Sequence, residues 1–138
     1  MNKIFISPSK YVQGPGAMND LGDYAKKLGD KALILISEGG VKRQGAQIEA
    51  SFKAAGAALV FEHFNGECCR SEIERLVKIV KDESADVVIG VGGGKIFDTA
   101  KAVAYEAGTP VIIAPTIAST DAPCSALSVI YTLPYNHF

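Results

Sequence analysis

Short apolar runs alternate with segments of helical spacing along most of the 138-residue chain. Runs without interrupting charges predict strands that are buried on both faces of a sheet. The N-terminal "IFISPSKYVQG" mixes β-branched and aromatic residues with Pro8, which predicts an edge strand or hairpin. The other predicted strands are "ALILI" (32–36), "ALVFEHF" (58–64), "DVVIGV" (86–91) and "VIIAP" (111–115).

Helices are predicted between these runs from apolar residues spaced three and four apart. Asn19 is placed to cap the first helix, and "SEGG" (37–40) is interpreted as a turn before a helix at about 47–55. Ser71 and Glu74 form a capping-box pair for the next helix, and the helix after the glycines ends near Ala107. The strand–helix alternation predicts an α/β fold, Rossmann-like and doubly wound, with a mostly parallel sheet and helices on both faces.

Composition narrows the class of protein. The net charge of −1 and the scattered basic residues give no field for nucleic acid or an acidic membrane. No apolar run approaches the ~20 residues of a membrane span, and the start does not match a signal peptide. Three cysteines without paired spacing favour reduced thiols over disulfides or a metal site. We therefore expect a cytoplasmic protein with no nucleic-acid or membrane partner.

The glycine run Gly92, Gly93 and Gly94 lies at a predicted strand-to-helix junction. Such a junction directs free backbone N–H groups and the positive end of the helix dipole at one point, where phosphate binds. Glycines allow close approach and a tight turn, and Lys95 adds a positive charge there. The pattern fits neither a Walker A loop nor the full G-x-G-x-x-G fingerprint, so a ligand-free turn stays open as an alternative. Asp98, placed in the first helical turn, is either a dipole-stabilising acid or an acceptor for a bound cofactor.

A second informative segment is "APTIASTDAPCSALSVIYT" (114–132), which follows a buried strand. It therefore leaves the sheet at the same carboxyl edge as the glycines, where ligands bind in doubly wound sheets. The segment is rich in hydroxyl side chains, and Asp121 is its one charge. A Ser/Thr-rich turn is the alternative, and the lack of a nearby histidine disfavours a hydrolase triad.

"GVGGGKIFDTAKA" (90–102) and "PTIASTDAPCSALSVIYT" (115–132) together closely resemble the glycerol dehydrogenases of the iron-containing alcohol dehydrogenase superfamily. The resemblance implies an NAD-dependent oxidation of glycerol to dihydroxyacetone, with a divalent metal, usually zinc, polarising the alcohol. It also implies roles for matching positions. The pyrophosphate would lie at Gly93, Gly94 and Lys95, with Asp98 in the same segment, the adenine and ribose at Thr116 and Ser119, the nicotinamide along Ser125, Leu127 and Tyr131, and the substrate hydroxyls at Asp121.

The chain also departs from the family pattern. Ser37 stands where the family commonly has an acid for the ribose hydroxyls, so NADP is not excluded beside NAD. Residues 1–132 are expected to form the cofactor domain and 133–138 a tail outside the family pattern. The family's helical second domain and its metal ligands are expected to be absent, which predicts negligible turnover by this chain alone. The alternative function is a non-catalytic nucleotide-binding or assembly module that forms homo-oligomers through exposed apolar surface.

Overall fold

The computed structural model describes residues 5–14, 17–115 and 125–133, with side chains from residue 18 to residue 115. The elements alternate in the predicted way. They are β1 (Phe5–Gly14), a 3₁₀ helix (Ala17–Asp20), α1 (Leu21–Leu28), β2 (Lys31–Ile36), α2 (Glu38–Ala55), β3 (Ala58–His63), α3 (Arg70–Asp82), β4 (Val87–Gly92), α4 (Gly94–Ala107), β5 (Val111–Pro115) and β6 (Ser125–Leu133).

Within the described residues, the strands form one sheet in the order β1-β6-β5-β4-β2-β3. Strands β2 to β5 are mutually parallel, while β6 is antiparallel to both β5 and β1. The predicted α/β class and mostly parallel sheet are therefore confirmed. β1 lies at the edge, as its proline predicts, and its pairing register shifts between Pro8 and Lys10.

The core consists of two apolar layers, one on each face of the sheet. Along β2, the side chains of Ala32, Ile34 and Ile36 face α1 and α2, whereas Leu33 and Leu35 face α3 and α4. All five are fully buried, because a central parallel strand is covered on both faces. The helices on opposite faces confirm the doubly wound arrangement. Among the described residues, no helix combines the length and apolar character of a membrane span.

The predicted turn at "SEGG" is wrong, because α2 begins at Glu38. The Ser37 hydroxyl caps this helix by accepting a hydrogen bond from the Gly40 amide at 3.0 Å. Gly40 lies so close to β2 that an added Cβ would be 2.7 Å from Cγ1 of Ile36. Gly40 therefore allows α2 to pack closely against β2. The predicted end of α2 is confirmed at Gly56, which adopts a left-handed conformation with φ 74°.

Two predicted caps are also wrong. Asp20, and not Asn19, precedes α1, while the Asn19 side chain accepts a hydrogen bond from Gln47 Nε2 at 2.8 Å. In α3 the cap position is Cys69, so Ser71 already lies inside the helix. The preceding 3₁₀ helix and the earlier start of α3 shift each boundary by one or two residues.

Arg75 on α3 ties this helix to the end of β3. Its guanidinium donates two hydrogen bonds to Glu72, at 2.8 and 2.7 Å, and one to Glu62 at 2.7 Å. The Glu72 side chain is only 1% exposed, and its carboxylate also accepts from the Asn65 amide at 3.4 Å. The hydrogen bonds from Arg75 hold the pKa of Glu72 below its ordinary value, despite the opposing effect of burial.

We expect Glu72→Gln to destabilise the fold by about 1–3 kcal/mol at neutral pH, because it weakens the charge-assisted hydrogen bonds of a buried group. The lowered pKa means that ionised Glu72 stabilises the fold above the unfolded-state pKa of about 4.3 and that this contribution is lost as the pH falls through the folded-state pKa. Urea unfolding at pH 7 and at pH 3–4 measures both effects. The difference between wild type and variant should shrink in acid, and Glu49→Gln on the exposed face of α2 is the matched control. An unchanged difference at low pH would contradict this account.

Candidate functional site

The strand register brings the carboxyl ends of β2, β4 and β5 to one edge of the sheet. Ile36 pairs with Val91, and Gly92 pairs with Pro115. Ser37, the glycine turn and the segment that follows residue 115 therefore start from the same edge, as the sequence predicts. After β2 the chain enters α2, which covers one face of the sheet. After β4 it enters α4, which covers the other face. The point between β2 and β4 is thus a topological switch point, where such sheets bind ligands.

The glycine turn presents open backbone at this switch point. Gly93 is the N-cap residue of α4, and its carbonyl accepts the first helical hydrogen bond, from the Phe97 amide at 3.0 Å. Lacking a side chain, Gly93 leaves the first-turn amides of α4 without a side-chain cap. A Cβ added at Gly93 or Gly94 would have no atom of the described residues within 4 Å. Uncapped amides, a helix dipole and open space together fit an anionic group such as a diphosphate.

The two glycines before the turn pack the helix against the strand. At Gly90, within β4, an added Cβ would lie 2.9 Å from the Cβ of Ala100 on α4. Gly92 has φ 144°, a conformation that side chains disfavour, and an added Cβ would be 2.7 Å from Cδ1 of Ile96. The glycines of this motif therefore divide into a packing pair, Gly90 and Gly92, and an open pair, Gly93 and Gly94.

Lys95 is the second residue of α4, directly after the open pair, and its ammonium contacts a carboxylate from another segment. Lys95 Nζ lies 3.2 Å from Glu67 Oε2 in the loop between β3 and α3, and the two side chains are 69% and 66% exposed. A surface ion pair of this kind contributes at most about 1 kcal/mol. A negatively charged diphosphate can therefore compete for the ammonium. The sequence analysis missed Glu67, because a contact across 28 residues leaves no local pattern.

Asp98 lies in the second turn of α4 and is exposed, so its expected place in the first turn is wrong. The helix begins directly at Gly94, one residue after the strand-to-helix turn. Because the effect of the helix dipole is concentrated in the first turn, an acid at position 98 stabilises the start of α4 only weakly.

The other predicted site residues lie after residue 115, where the structure describes the backbone of residues 125–133 and no side chains. Thr116, Ser119 and Asp121 lie outside the described residues. Backbone register places the remaining three on β6, where Ser125 pairs with Gly14, Leu127 with Val12 and Tyr131 with Ser7. Because β6 is antiparallel to β5, Ser125 lies at the same edge of the sheet as the glycine turn. Tyr131 lies about 20 Å farther along the strand, toward the opposite edge. Their cofactor roles stay predictions.

Cys68 and Cys69 are free, exposed thiols directly before α3, and Cys124 lies outside the described residues. The hydroxyl of Ser71 is the main cause that lowers the pKa of the Cys69 thiol. In the part of the chain that the structure describes, no three His, Cys, Asp or Glu side chains meet in a group that could hold a metal ion. His63, at the end of β3, lies with its Nε2 3.9 Å from Glu38 Oε2.

Comparisons with known proteins give matches that extend over most of the chain. A family model described as iron-containing alcohol dehydrogenase matches residues 8–136. A glycerol dehydrogenase of Escherichia coli O6:H1 is 48% identical over 132 residues, and a glycolaldehyde reductase of Halobacterium salinarum is 47% identical over 132 residues. Each alignment covers 96% of this chain but 36% of the relative. The structure of a probable glycerol dehydrogenase from Sinorhizobium meliloti matches with a TM-score of 0.66 and 45% identity, over 79% of this chain and 29% of that one.

The division of the glycines can be tested by stability alone. We expect Gly90→Ala to destabilise the fold by about 1–3 kcal/mol, because its methyl group overlaps Ala100 in a tightly packed layer. Gly94→Ala should change stability by less than about 1 kcal/mol, since its methyl group projects into open space and alanine favours a helix. Urea unfolding of both variants measures the difference. A loss in Gly94→Ala as large as that in Gly90→Ala would refute the division.

Proposed function

The chain belongs to the iron-containing alcohol dehydrogenase family, and from this premise we propose that residues 1–132 form the NAD-binding domain of a glycerol dehydrogenase. The observation that carries the proposal is the open pair Gly93 and Gly94, which begins α4 at the switch point of the sheet. The relatives at 46–48% identity include several glycerol dehydrogenases, and the chain spans about a third of their length. Glycerol oxidation is therefore proposed for the whole protein, not for this segment alone.

Support for a nicotinamide dinucleotide comes from chemistry and geometry together. Oxidation of an alcohol removes a hydride, and nicotinamide accepts a hydride at its ring. The diphosphate that links the two halves of the dinucleotide carries negative charge, and the uncapped amides of α4 are donors for its oxygens. Lys95 would exchange its contact with Glu67 for a phosphate oxygen, and Ile96 would hold the turn against Gly92. In this proposal the turn binds and orients the cofactor but performs no bond-making step.

A divalent metal, when bound, would supply Lewis-acid chemistry that lowers the pKa of the substrate hydroxyl. The described residues contribute no cluster for that ion. We propose that Asp121 faces the substrate hydroxyls, as the resemblance implies. The comparable identity to a glycolaldehyde reductase shows that this segment is shared by proteins with different named activities.

An assembly module is supported less well. Its premise is exposed apolar surface, and among the side chains that the structure describes Val41 is the only large apolar one that is exposed. Nucleotide binding has a specific site to support it, so we retain it as the function of this segment.

Nucleotide binding can be measured directly by calorimetry with NAD and ADP-ribose. We expect both to bind the 138-residue chain, and Gly94→Ala to weaken both at least about tenfold, a loss of roughly 1.4 kcal/mol, because its methyl group occupies the phosphate position. Lys95→Ala should weaken both by roughly five- to tenfold through the loss of a charge-assisted hydrogen bond. Lys101→Ala, exposed on the same helix, is the matched control and should change the Kd by less than about twofold. No binding, or equal losses in the two lysine variants, would refute the proposal.

Turnover gives a second test. The 138-residue chain, assayed with glycerol, NAD and added zinc, should produce no NADH above background, because the resemblance assigns the metal ligands to residues that match no position here. The same preparation must bind NAD in the calorimeter, so that an unfolded sample is not mistaken for an inactive one. Robust NADH production by folded chain would show that the chemistry lies within these residues.

A further inference from the structure

We propose that the nucleotide site of this chain accepts NADP as well as NAD, with the 2′-phosphate bound between Ser37 and Arg43 at the start of α2. This inference deepens the proposed function and rests on it. It concerns the choice between two dinucleotides that differ by one phosphate, and it depends on three observations about the end of β2 and the first turns of α2.

The first observation is the position of Ser37. This residue directly follows Ile36, which pairs with Val91 on β4 at one strand spacing, about 4.8 Å, and Val91 directly precedes the glycine turn. In sheets of this type, an acid at the end of the neighbouring strand accepts hydrogen bonds from the ribose hydroxyls and repels a 2′-phosphate. Ser37 carries no charge, so it presents no such barrier.

The second observation concerns Glu38, the nearest carboxylate along the chain. Its Oε2 is 3.9 Å from His63 Nε2 at the end of β3, and its Oε1 is 3.9 Å from Lys42 Nζ. β3 lies on the opposite side of β2 from β4. The Glu38 carboxylate is therefore directed away from the switch point and does not replace the missing acid.

The third observation is a cation on the other flank of α2. Nη1 of Arg43 lies 3.0 Å from the position of a Cβ added at Gly39, so the guanidinium lies over the first turn of the helix. One turn farther along the same flank, Gln47 contacts Asn19 of the 3₁₀ helix, away from β3. Arg43 makes no ion pair with any residue that the structure describes. An available guanidinium beside a helix N-terminus suits a phosphate, which it can bind through two hydrogen bonds.

Two variants test these roles, and one serves as control. Ser37→Asp restores a carboxylate, and aspartate caps a helix as well as serine does, so the variant should fold. Arg43→Ala removes the proposed phosphate ligand. Lys42→Ala makes the same change in charge on the flank that faces His63. Thermal unfolding of each variant verifies the fold, and calorimetry with NAD, NADP, ADP-ribose and 2′-phospho-ADP-ribose gives the dissociation constants.

We expect the Kd values of NADP and NAD to lie within about tenfold of each other in the wild-type chain. Ser37→Asp should weaken NADP at least about tenfold and leave NAD within about threefold, because only the 2′-phosphate meets the new charge. Arg43→Ala should weaken NADP by about three- to tenfold, and Lys42→Ala by less than about twofold.

The outcomes separate this inference from the function on which it rests. NAD binding with NADP at least a hundredfold weaker would overturn the inference and leave the proposed function in place. Equal effects of Ser37→Asp on both dinucleotides, or equal effects of the Arg43 and Lys42 substitutions on NADP, would also overturn it. Absence of binding by all four nucleotides would refute the inference and the proposed function together.

Discussion

The close approach of α4 to β4 fixes the geometry of the candidate site. The helix can lie against the strand only because Gly90 has no side chain where Ala100 packs and because Gly92 takes a backbone conformation that side chains disfavour. Both contacts lie in an interior packed at the density of an organic crystal, where the space for one methyl group decides whether two elements can touch. With the helix held there, its N-terminus is fixed at the carboxyl edge of the sheet, and Gly93 and Gly94 face outward.

Two helices begin at this edge, and they differ in whether a side chain caps their first-turn amides. In α2 the Ser37 hydroxyl accepts a hydrogen bond from the Gly40 amide, so the end of the helix is partly satisfied from within the protein. In α4 the cap residue is Gly93, which has no side chain to offer. Orphan amides must find water or a ligand, and the helix dipole favours an anionic one. In the proposed function, this difference between a serine cap and a glycine cap places the diphosphate at α4 and a more distant part of the nucleotide at the start of α2.

Sequence reasoning succeeded where a local pattern has one physical solution. Short apolar runs such as 32–36 and 111–115 favour buried strands, and Pro8 favours an edge strand; the structure confirms these predictions. Prediction failed where the same residues suit either a turn or the start of a helix. Residues 37–40, with two glycines, are typical of a turn, but in the structure they begin α2 and Gly40 packs against Ile36. Contacts across many residues, such as Lys95 with Glu67, leave no periodic signal at all.

Dinucleotide binding and catalysis place different requirements on the protein, so a candidate binding site can be recognised without the catalytic residues. A dinucleotide domain needs only a switch point, an uncapped helix and a residue that reads the ribose, and each of these lies within a few residues of one sheet edge. The described residues include the switch point between β2 and β4 and the uncapped start of α4, and we propose that Ser37 lies at the ribose. Catalysis adds a separate requirement, the stabilisation of charge on the alcohol oxygen as hydride leaves. If the two requirements fall on different residues, as we propose, dinucleotide selectivity can change at the end of β2 without any change in the group that activates the alcohol.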